Sequence, residues 1–156
     1  MEADNRMQHH QWDSALDATT VPLFLNLQWA QAASLDTMRP TLQQFGVSMT
    51  EFDVLATLRN APAPHEMTPS AIQDAVVITS GGLTKVMLQL ESRGLVTRRQ
   101  LAHDLRSKPV SLSAEGCQLI EAAMASAVAD TAHWLHTRLS AAEITQLSTL
   151  LGKLAT

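Results

Sequence analysis

At Gly94 the rhythm of the chain changes. Up to that point apolar residues recur at three- and four-residue steps, the period of an amphipathic helix. After it, "LVTRRQ" and "KPVSLS" read as two short strands, and the polar "LAHDLRS" between them as a hairpin tip. At Ser113 the helical step resumes. A helical chain interrupted once, for one small hairpin, admits few folds, and the expected class is mainly α with a small β-hairpin. Cap signals divide the helical part. A first helix is expected from Asp13 to about Phe45, with Pro22 and Pro40 as points where it kinks or breaks and Gly46 as its stop. Ser48 and Glu51 have capping-box spacing and open a second helix that turns Phe52, Val54, Leu55 and Leu58 inward. "NAPAPHEM" reads as a loop. Thr68 and Pro69 supply an N-cap and a first-turn proline for a third helix ending near Val76. Thr79 caps a fourth, whose stripe is Leu83, Val86, Met87 and Leu90 and whose stop is Gly94. Ser113 caps a long fifth helix reaching Leu139, and Ser140 with Glu143 opens the last.

Three short helices followed by a two-stranded hairpin form a winged helix-turn-helix. The expected organisation is a flexible tail, residues 1–12, and a single domain, residues 13–156. Within it, residues 48–112 form the winged lobe, and 13–45 and 113–156 are dimerisation helices. Those long helices are too apolar to stand alone in water. Val21, Leu25, Leu119, Ile120, Met124, Val128, Leu135, Leu139, Leu147, Leu150 and Leu151 call for partners, and a second copy of the chain is the economical source.

Charge says what the lobe is for. The chain carries a net −4, yet Thr79–Lys108 holds six of its eleven Lys and Arg residues and only two of its fifteen acids, a local +4. A pI near 5.8 argues against indiscriminate coating of nucleic acid but not against one basic surface. The N-terminal turn of a recognition helix must approach the major groove closely, and Thr79, Ser80, Gly81 and Gly82 are small enough to allow it. Thr84 and Lys85 sit one turn in, within reach of a phosphate or a base edge, and Gln89 a turn further. Arg106 at the hairpin tip suits a narrow, electronegative minor groove, with Asp104 to hold it extended. Arg98, Arg99 and Lys108 flank the DNA backbone. The single Cys117 excludes an internal disulfide and fits a reducing compartment. No apolar run reaches a membrane span of about 18 residues, and the polar start is no signal peptide. The cytoplasm is the expected setting, with no membrane partner.

These residues also carry a family resemblance. Thr84-Lys85, Leu90-Glu91-Ser92-Arg93-Gly94-Leu95, Asp104-Leu105-Arg106 and Leu112-Ser113-Ala114-Glu115-Gly116 follow one another as in a MarR-type regulator, and "VSMTEFDVLATLRN" resembles that family's second helix. The resemblance spans about residues 48–116. It implies a homodimer on a pseudo-palindromic double-stranded DNA operator, acting as a repressor and released by a small aromatic or phenolic ligand. It puts such a ligand where the dimer helices meet the DNA-binding lobe, which singles out Trp29, Arg39, Met49 and Phe52. The chain departs from the pattern at Leu105, where the family usually has Arg, at Gly81 and Gly82, which replace bulkier side chains, and at Lys85, which lacks the bidentate fork of the commoner Arg.

Plainer readings stand beside these. Cys117 serves as a small hydrophobe or as the sensor of a redox-responsive regulator. His133 and His136, with Asp130, have metal-ligand spacing but fit surface positions better, so no metal and no cofactor is expected. Trp29 and Phe52 suit a core or a pocket. Two other function classes compete: a winged helix that binds protein without DNA, and an enzyme. The enzyme reading finds no nucleophile–base pair, phosphate loop or ligand set to support it.

Overall fold

The structure, a computed structural model, describes residues 16–76, 80–99 and 108–155. It is mainly helical with one small sheet. Helix α1 spans Thr20–Phe45. It starts later than Asp13 because the Asp17 carboxylate accepts the N–H groups of Thr19 (2.8 Å) and Thr20 (2.9 Å) and sets the first turn there. Pro22 therefore falls in the first turn of the helix, between Val21 N–H bonded to Asp17 C=O (3.3 Å) and Leu23 N–H bonded to Thr19 C=O (3.4 Å). Pro40 lies inside the helix, which runs on to Phe45. The helix closes at the expected glycine. Gly46 takes φ +62°, Val47 N–H reaches Leu42 C=O (3.0 Å) and Gly46 N–H reaches Gln43 C=O (3.2 Å).

Helix α2, Met49–Asn60, has both halves of its capping box formed by Ser48 and Glu51. Strand β1, Glu66–Met67, follows, then α3, Pro69–Ala75, capped by Thr68, and α4, Ser80–Ser92. Strands β2, Val96–Arg98, and β3, Val110–Leu112, lead to α5, Ala114–His136, and α6, Ala141–Leu154. Helix α5 ends three residues short of Leu139, where Thr137 N–H caps back to His133 C=O. The sheet corrects the reading of "NAPAPHEM" as pure loop. Its last two residues pair antiparallel with β3, Glu66 against Ser111 and Met67 against Val110, so the wing sheet has three strands in the order β1-β3-β2.

The chain falls into two compact units, one up to Arg39 and one from Pro40 on. The second holds the core. Val54, Leu55 and Leu58 of α2, Ile72 of α3, Leu90 of α4, Val96 and Val110 of the sheet and Ile120 of α5 are essentially inaccessible to solvent. Ile120 thus needs no second copy, because the lobe itself covers it. Arg59 of α2 donates to Glu121 of α5 (2.7 Å) along the rim of this core. In the first unit Leu23, Phe24 and Leu35 remain exposed on α1.

Candidate nucleic-acid interface

Helix α4 is seated by its apolar stripe. Leu83, Val86, Met87 and Leu90 are all buried, at spacings that place them on one side. Burying each such side chain is worth roughly 1.5–3 kcal/mol. The opposite side, with Thr84, Lys85, Leu88 and Gln89, is left exposed. Lys85 and Gln89 are one turn apart on that side. Ser80 and Gly81 begin the helix, and Gly82 in its first turn is half-buried. At its far end Gly94 takes φ +70°, and Leu95 N–H reaches back to Leu90 C=O (3.0 Å). Thr79, Asp104 and Arg106 lie outside the described residues. Lys108 is exposed just before β3.

The arginines of the basic segment are placed differently from the lysines. Arg93 Nη1 donates to Glu51 Oε1 (3.0 Å), and the other oxygen of that nearly buried carboxylate accepts Ser48 N–H (2.8 Å). Arg98 sits half-buried, with Nε 3.3 Å from Glu91 Oε2 but without hydrogen-bond geometry to it. Arg99 Nη2 donates to Glu66 Oε1 (3.0 Å), while Ser111 Oγ donates to Glu66 Oε2 (2.9 Å). Lys85 and Lys108 enter no ion pair among the described residues. Glu51 and Glu66 lie outside the segment, so counting them with it lowers its +4 to +2. The structure therefore gives Arg98 and Arg99, expected simply to flank DNA, partners within the lobe as well. Glu66 escaped sequence reading because it lay in an apparent loop. Glu51 was visible, but only as a cap.

The proposed ligand residues are scattered over the chain. Trp29 is half-buried on α1, and Arg39 pairs with Asp36 one turn earlier. Phe52 is only 8% exposed in the core, and Met49 is half-buried at the start of α2. Cys117 is half-buried in the first turn of α5. Asp130 is committed elsewhere: the fully buried Thr41 hydroxyl donates to its Oδ2 (2.7 Å) and lies 3.1 Å from Ser126 Oγ. Among the described residues no cluster of His, Cys, Asp and Glu is arranged to hold a metal ion, and no helix is long and apolar enough to cross a membrane.

Known proteins resemble this chain along most of its length. The MarR family model matches residues 47–108, from just before α2 to just before β3. The HTH-type transcriptional regulator PecS of Dickeya dadantii is 36% identical over 110 residues, 70% of this chain, which spans 66% of the length of PecS. A mutant MarR from E. coli, solved in complex with operator DNA, superposes with a TM-score of 0.79 at 22% identity, over 94% of this chain and 100% of that one. NadR, solved in complex with 4-hydroxyphenylacetate, superposes with a TM-score of 0.67 at 23% identity, over 85% of this chain and 91% of that one. At those identities the two structures speak for the shared fold.

Proposed function

The chain belongs to the MarR family of winged helix-turn-helix transcriptional regulators, and from that premise we propose that it works as a homodimeric repressor on a pseudo-palindromic operator, released by a small aromatic or phenolic ligand. The observation that carries the DNA half is the seating of α4. Its apolar side is locked into the lobe, and Thr84, Lys85 and Gln89 face outward on a small-residue start. A helix presented this way suits the major groove, with Lys85 and Lys108 as mobile point charges for phosphates. Asp104 and Arg106, read from the sequence as the hairpin tip, would extend the contact into the minor groove. Two symmetry-related lobes on one duplex account for a two-fold operator. The operator complex of E. coli MarR supports this reading.

The test is a titration of labelled promoter DNA at several salt concentrations. If each protomer engages about three or four phosphates, the log–log slope is roughly −5 to −7. A slope near zero sinks the DNA reading in favour of a protein-binding winged helix.

The effector half rests on the resemblance and on the 4-hydroxyphenylacetate complex of NadR. A ligand releases DNA only through different affinities for the DNA-competent and other states. A coupling of roughly 1–3 kcal/mol weakens operator binding about 5- to 150-fold. Aromatic carboxylates and phenols are expected to do so, and Trp29→Ala to blunt the effect while ligand-free DNA affinity stays within a few-fold. A broad panel that moves neither Trp fluorescence nor operator affinity removes this half of the proposal.

A further inference from the structure

We propose that Glu66 restrains DNA affinity by holding Arg99 in a carboxylate that DNA phosphates must displace; the inference rests on the DNA-binding reading above. Glu66, Ser111 and Thr97 stand in register across the three strands, and Arg99 follows two residues after Thr97, continued by its N–H to Pro109 C=O (3.1 Å). With side chains alternating along a strand, the four lie on one face of the sheet. The opposite face carries the buried Val96 and Val110. Both oxygens of Glu66 are occupied, one by Ser111 and one by Arg99, and the carboxylate is only 21% exposed. Arg99 is 65% exposed. The acid is thus fixed by the sheet, while among the described residues the cation is tethered at one nitrogen.

An exposed cation held this way has two possible partners. A phosphate competes for the guanidinium with an intramolecular carboxylate already 3.0 Å away, and the loss of that pair offsets part of the gain. Replacing Glu66 by the neutral isostere Gln leaves one acceptor oxygen, which can face Arg99 while the amide N–H donates to the Ser111 hydroxyl, and it ends the ionic competition.

The experiment compares wild type, Glu66→Gln, Arg99→Gln and the double variant on a fluorescent mixed-sequence duplex of about 30 base pairs, long enough for two half-sites one helical turn apart. Glu66→Gln is expected to bind tighter by about 2- to 5-fold per protomer, the size of an exposed ion pair. Its salt dependence steepens by about 0.9 for each further phosphate neutralised. Arg99→Gln weakens binding in both backgrounds, and by more in the Glu66→Gln background, because removing a bulk negative charge alone predicts equal losses. Equal losses, or a Glu66→Gln protein that binds no tighter, overturn the inference. Thermal unfolding of each variant separates these results from misfolding. If Glu66→Gln unfolds, Glu66→Ala takes its place: it removes the carboxylate outright and is expected to tighten binding, and unchanged or weaker binding overturns the inference. Failure of wild type itself to bind the duplex counts against the DNA reading, whereas binding by wild type with no change in the variants counts against Glu66 alone.

Discussion

Gly116 shows how one atom can fix a domain. A Cβ there would lie 2.0 Å from Leu95 C=O and 3.3 Å from a Leu112 methyl. The first turn of α5 sits directly on the backbone after α4, where Ser113 N–H reaches Leu95 C=O (3.1 Å) and Ser113 Oγ reaches Gly94 C=O (2.7 Å). Gly116→Ala is therefore expected to destabilise by at least about 1–3 kcal/mol, as overpacking against unyielding backbone does. An unchanged melting temperature would show that α5 can step aside. Asp53 offers the opposite sign. It is half-buried on α2 without a hydrogen bond or ion pair among the described residues, and burial raises its pKa. A raised acid binds its proton more readily folded than unfolded, so stability falls as pH rises from the ordinary aspartate value of 3.8 through the folded pKa. Asp53→Asn is expected to raise the melting temperature at neutral pH and to lose that advantage below pH 3.8. A variant no more stable at neutral pH refutes this.

Helices that begin with their own cap were the legible part of the fold. Ser48, Thr68, Ser113 and Ser140 each accept the N–H three residues on, because cap chemistry is local and a single sequence window contains both partners. Strand β1 was illegible for the converse reason. Two residues show no alternation, and what makes them a strand is β3, far along the chain. The arginine partners were hidden in the same way: the sequence segregates charge, but pairing Arg99 with Glu66 requires the sheet. The local rule yields a prediction. Ser48→Ala removes one half of a formed capping box and is expected to cost about 1 kcal/mol, read as a lower denaturation midpoint with unchanged m-value. The last helix adds a pH dependence. Ser140 N–H and hydroxyl both donate to Glu143 and lower its pKa. A lowered acid stabilises the folded form above its unfolded value and ceases to as pH falls through the folded one. Protection against hydrogen exchange at the start of α6, taken relative to the intrinsic rate at each pH, should therefore fall in acid, and Glu143→Gln should abolish that fall.

Over the whole molecule, what stays uncovered is as informative as the core. Helix α6 has no buried residue, and Leu147, Leu150, Leu151 and Leu154 are 39–66% exposed. Val128 of α5 is 67% exposed. A lone chain in water would not leave so much leucine on one helix, and the second copy proposed above covers it. A Leu147→Asp, Leu151→Asp variant is expected to sediment as a monomer and to lose most operator affinity; a variant that stays dimeric moves the seam elsewhere. The division of labour between the two kinds of cation reaches beyond affinity. In the basic segment the described arginines are tied to carboxylates, while Lys85 and Lys108 pair with none among the described residues, and the chain has only one further lysine, Lys153 on α6. Among the described residues, the cations of the segment that need break no ion pair to meet DNA are thus primary amines, and amines are acylated where guanidinium groups are not. A mild acetylating reagent becomes a footprint: bound DNA should shield Lys85 and Lys108 while Lys153 reacts as before, and acetylation of the free protein should weaken DNA binding while leaving the arginine–carboxylate pairs intact.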